Sequence, residues 1–270
     1  MSRHKSEIEK SEYEFDEVYL RRKEKRKQDR KKRRKRTFRN LCILAFAVLV
    51  IVFLIKAPMF NITDFEVEGN CYYTSQEIIT MANAKAGGNL FIGADTNDMI
   101  TRLKKDAFIR EVKVKRKLPS TIVIVLEERP QISALVYGDK YVVLDDTGFV
   151  LRKSSVEPKL PLITGLNITK LNIGETVETD DAVLFRQALD IINEMNRSNM
   201  YFVQVEMATG TIYAHVLNNL IVESDFTGLM KTMQSGELSL VVSELFTREI
   251  ERGIITISGE NYISFTPKLD

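Results

Sequence analysis

The chain has 270 residues and 31.0 kDa, with 44% hydrophobic and 28% charged residues, a globular composition with room for about two domains, which excludes a wholly disordered chain. The formal charge of +2 conceals a split: residues 1–40 carry 17 Lys/Arg against 8 Asp/Glu, and the remainder 22 against 29. Two cysteines (Cys42, Cys71) and two histidines (His4, His215) are too few for a structural zinc site or an iron–sulfur cluster, so no metal or other cofactor is expected.

Residues 1–39 read as a largely disordered cytoplasmic tail. Ser2–Tyr19 is polar and acidic, and residues 21–39 hold 14 Lys/Arg. Leu41–Ile55 is an unbroken apolar run. With Lys56 snorkelling it extends through Phe60, giving 20 residues and about 30 Å as a helix, the thickness of a bilayer's hydrocarbon core. A transmembrane helix is therefore expected over 40–59. A buried core helix fits an all-round apolar surface beside a charged cluster less well, and a cleaved signal lacks a small-x-small site after Ile55. The basic cluster places the tail in the cytoplasm and exports the chain beyond Pro58. The same cations suit anionic lipid headgroups better than nucleic acid, since no aromatic interrupts Arg21–Arg36. Cys42 and Cys71 fall on different sides of this arrangement and are expected not to pair.

From residue 60 to 130 the hydrophobic period alternates. Ile62–Glu68 reads as a strand closed by Gly69-Asn70. Thr74-Ser-Gln-Glu77 is a capping box opening a helix to about Ala84, with Ile78, Ile79 and Met81 inward. Asp95 or Thr96 caps a second helix carrying Met99, Ile100 and Leu103. Val112 and Val114 and then Thr121–Leu126 return to period two, separated by a turn at Leu118-Pro119-Ser120, so the order is β-α-α-β-β.

Beyond Pro130, Tyr141–Leu151 reads as a hairpin about Asp145-Asp146-Thr147-Gly148. That acidic pair reads as turn chemistry rather than as a catalytic or calcium-binding pair. A helix over Asp181–Met195 is capped by Thr179 or Asp180 and turns Val183, Leu184, Ala188, Leu189, Ile191, Ile192 and Met195 inward. Phe202–Glu206, Thr211–Val216 and Leu220–Val222 alternate as strands. A helical stretch from Phe226 breaks near Ser235-Gly236 and resumes to about Leu245. Ile254–Ser258 and Tyr262–Phe265 close the chain as strands around Gly259-Glu260-Asn261. The fold class is α+β: one N-terminal transmembrane helix, a βααββ domain over 60–130, and over 131–270 a larger mixed domain with a mostly antiparallel sheet and helices packed on it. No nucleophile-base pair, paired acid or phosphate loop stands out, and His215 reads as a half-buried strand residue, so the chain is read as no enzyme.

Several segments resemble a known family. Phe65-Glu-Val-Glu-Gly-Asn70, Asn89-Leu-Phe91, Val112–Arg116 with Leu118-Pro119-Ser120, and Glu128-Arg129-Pro130 are similar to landmarks of a POTRA domain. Tyr141–Gly148 with Phe149–Leu151, and Leu160-Pro-Leu-Ile-Thr-Gly165, continue the likeness. Their order resembles the bacterial cell-division family FtsQ/DivIB. The resemblance implies a single-pass scaffold at the division septum, with the C-terminal strands binding the small coiled-coil proteins FtsB (DivIC in Gram-positive bacteria) and FtsL. The terminal strand is the candidate partner edge, with Tyr262, Ser264 and Phe265, and Ile257 of the strand before it, as candidate partner-binding residues. A membrane-anchored cell-wall enzyme and a POTRA-type transport chaperone are the alternatives.

Overall fold

The computed structural model describes residues 33–54, 56–259 and 262–268, so most of the expected tail and part of the turn at 259–261 lie outside the described residues. The chain divides into two compact units. The first is Met1–Asp64, Lys85–Ala94 and Lys117–Thr121; the second is Phe65–Ala84, Asp95–Arg116 and Ile122–Asp270.

In the first unit, helix α1 (Arg33–Leu54) is long and apolar enough to cross a membrane and buries none of its apolar window against protein. Arg33 is already helical, so the helix takes in basic residues assigned to the tail, and its regular turns stop short of the expected 59. Lysine and arginine are good helix formers, which lets the ladder run back into the charged cluster. Ala57 still donates to the Phe53 carbonyl at 2.8 Å, and Pro58–Phe60 then tightens into a 3-10 turn with Pro58 in the first turn, where its missing N–H costs nothing. The 85–94 loop grips this exit. Asn89 Nδ2 donates to the Leu54 carbonyl at 3.0 Å, Leu90 N to Phe60 O at 2.7 Å, and Ile62 N to Gly88 O at 2.8 Å. Ile62 and Leu90 are buried beneath these bonds.

The second unit begins, apart from the boundary residues Asp64, Lys117 and Thr121, with the expected β-α-α-β-β order: β1 (Asp64–Glu68), α2 (Ser75–Met81), α3 (Thr96–Leu103), β2 (Ile109–Lys117) and β3 (Thr121–Glu128), with sheet order β1-β3-β2. The capping box is complete, Thr74 receiving the Glu77 N–H and the Glu77 carboxylate receiving the Thr74 N–H. Asp95 caps α3. Ile78, Met99, Leu103, Ile122, Ile124 and Leu126 are buried, as the period required.

The larger part of this unit comprises β4 (Ser133–Tyr137), β5 (Lys140–Leu144), β6 (Val150–Ser154), β7 (Leu162–Thr164), the small pair β8 (Ile168–Lys170) and β9 (Glu178–Thr179), and α4 (Ala182–Ser198). After these come β10 (Gln204–Ala208), β11 (Thr211–Leu217), β12 (Leu220–Ser224), α5 (Phe226–Ser235), α6 (Glu237–Thr247), β13 (Gly253–Ser258) and β14 (Tyr262–Pro267). Nine strands form one sheet in the order β14-β13-β12-β11-β10-β7-β4-β5-β6, antiparallel except at β12/β13, β10/β7 and β4/β7. One core joins alternate residues of the sheet (Ile163, Val205, Ile212, Ala214, Val222, Ile255) to α4, α5 and α6. Gly165 ends β7 at φ +80, where a Cβ would stand 2.1 Å from the Met207 carbonyl oxygen.

Helix α4 differs from expectation at both ends. Its cap is Asp181, whose Oδ1 receives the Val183 and Leu184 N–H groups at 3.0 and 2.9 Å. Asp180 is held by Asn167 Nδ2 and the Asp181 N–H, and Thr179 donates to the Asp181 carbonyl, so neither is free to cap. The helix runs past Met195 to a left-handed Asn199, and Val183, in its first turn, faces solvent.

Candidate functional site

The terminal strand β14 is an outer strand of the nine-stranded sheet. It pairs with β13 from Gly253↔Pro267 to Ser258↔Tyr262, and among the described residues no strand pairs with its other flank. On that flank alternate residues turn N–H and C=O groups outward, the arrangement that accepts an added strand, and Pro267 bounds it. Period two divides its side chains. Ile263 and Phe265 pack against the helix-covered core, and Phe265 closes over Gly253, where a Cβ would come within 2.5 Å of the ring. Tyr262 (69% exposed), Ser264 and Thr266 take the opposite face.

Of the four expected site residues, only Tyr262 is a freely presented side chain. Ser264 Oγ leans on the Thr256 carbonyl at 3.4 Å, and Phe265 is half-buried. Ile257 is buried in the core opposite Ile263, so its side chain holds the strand in place and is not on the surface. Beside the edge, α6 and β14 enclose a groove of about 610 Å³ lined chiefly by Leu240, Val241, Glu244, Arg248, Ile250 and Phe265. Leu240 is 72% exposed, and Glu244 and Arg248 pair at 2.7 Å on the same helix. The sequence had one available signal for this groove: Leu240 lies off the inward stripe of Leu238, Val242 and Leu245.

On the sheet face opposite the helices, the register aligns Glu206, Tyr213, Glu223, Thr256 and Ser264 in one row. His215 lies next to this row, half-buried, its Nε2 4.0 Å from Glu206 Oε2. Burial lowers its pKa and Glu206 partly opposes that. Among the described residues no group of three or more His, Cys, Asp or Glu is spaced to hold a metal, and Cys42 and Cys71 are both free thiols.

The Asp145-Asp146 turn organises a different constellation. Asp145 is fully buried. Its Oδ1 receives the Thr147 N–H, the Thr147 hydroxyl and the Phe149 N–H at 2.9, 2.7 and 2.9 Å, and its Oδ2 meets Arg129 Nη1 at 2.7 Å and Arg110 Nη2 at 3.4 Å. Arg110 also bonds Asp146, and the Arg129 guanidinium lies 3.9 Å over the Phe149 ring. Burial opposes ionisation of Asp145 most strongly among single influences. The Phe149 N–H, the Thr147 groups and Arg129 together outweigh it and hold the carboxyl below its usual range. The chain neighbour of Arg129, Glu128, receives the N–H groups of Cys71, Tyr72 and Tyr73, and Tyr73 donates to Asp106 at 3.1 Å. Both acids are spent on backbone and arginine partners, which is structural chemistry. Sequence reasoning missed the Arg110–Asp145–Arg129 group because its members come from three separate segments.

Comparison with known proteins bears on the same segments. Residues 60–129 match the family model "POTRA domain, FtsQ-type". The chain is 28% identical over 167 residues to cell division protein DivIB of Clostridium acetobutylicum, covering 59% of this chain and 65% of that protein. It is 28% identical over 178 residues to DivIB of Clostridium botulinum strain Hall, covering 64% and 69%. To cell division protein FtsQ of Geobacter sp. strain M21 it is 37% identical over 119 residues, covering 43% and 42%. The match thus spans about two thirds of the two DivIB proteins and less than half of the third. Helix α1, the βααββ domain and the sheet-rich domain follow one another in the order that the resemblance implied, and the family match at residues 60–129 together with the DivIB and FtsQ relatives supports the FtsQ/DivIB family of cell-division proteins.

Proposed function

We propose that the protein is a non-catalytic, single-pass membrane scaffold of the bacterial division machinery, with residues 1–39 cytoplasmic and the two domains beyond the span exported to the septum. Its exported sheet recruits the coiled-coil partners FtsB/DivIC and FtsL by strand addition at β14. The observation that carries this reading is the free outer flank of β14 next to an apolar groove on α6. Main-chain pairing along β14 supplies affinity, and Tyr262 and Leu240, one on each side of the strand's plane, supply side-chain anchors. The cations of residues 21–39 hold the inner end of the span against anionic headgroups.

The test is co-purification of DivIC and FtsL with the full-length chain in detergent. Tyr262→Lys and Leu240→Lys alter exposed groups only and should each weaken capture by roughly tenfold, with the circular dichroism unchanged. Phe265→Lys would disturb the packing over Gly253 and is the poorer probe. Undiminished capture by the Tyr262→Lys, Leu240→Lys double variant removes this edge as the partner site.

A further inference from the structure

The first compact unit ends the membrane helix in an unusual way for a surface exposed to water. Helix α1 is long and apolar enough to cross a membrane, and the apolar stretch that opens at Leu41 reaches its full 20 residues, about 30 Å, only through the turn at Pro58–Phe60. There the 3-10 turn leaves Met59 exposed and is gripped by the 85–94 loop through the bonds to the Leu54 and Phe60 carbonyls. That loop turns Phe91 and Ile92 outward, Ile92 to 69% exposure, with Phe91 set edge-on against Phe60 at 5.4 Å between ring centres. The hairpin tip at 117–121 belongs to the same unit, bonded through Thr63 N to Ser120 O at 3.0 Å, and carries Leu118 at 64% exposure.

We infer that Met59, Phe91, Ile92 and Leu118 form a membrane-seated collar that inserts into the exported leaflet around the end of α1. The occupant is lipid, because the collar is bonded directly to the end of an apolar helix that buries none of its apolar window against protein, so its exposed apolar side chains continue the lipid-facing surface of the span. Charge points the same way. From residue 56 to the end of each of its segments the unit carries Lys56, Lys85 and Lys117 against Asp64 alone, in a chain whose residues 41–270 are acidic overall, so the collar's rim suits anionic headgroups. Asn89 has a defined part in this: its amide satisfies a helix-terminal carbonyl at the depth where water is scarce, and its own carbonyl oxygen receives the Phe91 N–H at 2.9 Å, which aims the apolar tip.

The inference rests on α1 being a membrane span, and its test separates the two. The full-length chain, with Cys42→Ala and Cys71→Ser, receives one cysteine at a time at Leu49, Ile92 or Leu118, labelled with an environment-sensitive dye. It is then reconstituted in phosphatidylcholine–phosphatidylglycerol vesicles with or without bromine on the acyl chains. Dye coupled to glutathione in the same vesicle suspension sets the unquenched level. Loss of fluorescence at Leu49, Ile92 and Leu118 in brominated vesicles is the expected result. Loss at Leu49 without loss at either Ile92 or Leu118 overturns the collar and leaves the span standing, including the case in which another protein surface covers the patch. No loss at Leu49 overturns the span, and the collar with it. Leaving out phosphatidylglycerol should reduce the loss at Ile92 and Leu118 and not at Leu49; an unchanged loss removes the lysines from the contact.

Discussion

Asp145→Asn is the sharpest single test of what holds the second compact unit together. The substitution keeps the shape and leaves an Oδ1 to receive Thr147 and Phe149, but it removes the charge facing Arg129 and Arg110 and turns an amide N–H toward their N–H groups. Taking one partner from a buried ion pair costs about 3 to 5 kcal/mol. The Arg110 and Arg129 side chains keep 26% and 18% of their exposure, so water takes up part of the uncompensated charge, and about 2 to 3 kcal/mol is expected. Urea unfolding of the full chain in detergent measures it by circular dichroism and tyrosine emission, since the chain lacks tryptophan. The pH dependence supplies the control. The folded carboxyl titrates below its unfolded value of about 3.9, so its stabilisation is complete above about pH 4 and fades as pH falls through the folded value. The gap between wild type and variant should therefore be full at neutral pH and narrow as the pH falls below about 4. A gap under about 0.5 kcal/mol at neutral pH, or one that persists undiminished in acid, refutes the account.

Local geometry sets two further outcomes. Thr74→Ala removes the side-chain half of the capping box and should cost about 1 kcal/mol, seen as roughly fivefold faster hydrogen exchange at the Glu77 amide. Gly165→Ala adds a Cβ at positive φ against the Met207 carbonyl and should cost more than about 2 kcal/mol in the same urea measurement, whereas Gly174→Ala, with positive φ and open space around it, should cost less.

The elements and their order are legible in the chain itself. An unbroken apolar run beside a cationic cluster has few other uses than a span, Thr74 and Glu77 sit at the spacing of a capping box, and the period-two runs of β11, β12 and β13 bury alternate residues. These are near-neighbour effects, set within a few residues of backbone. Folding in three dimensions settles whatever depends on distant segments meeting: the β10-β7-β4 parallel contacts at the middle of the sheet, the joining of Arg110, Arg129 and Asp145, and the choice of Asp181 as cap once Asp180 was taken by Asn167. It also separates Tyr262 from Phe265. Alternation puts them on opposite faces, but which face the helices cover is fixed only by the packing of α5 and α6, and no local pattern in β14 encodes that.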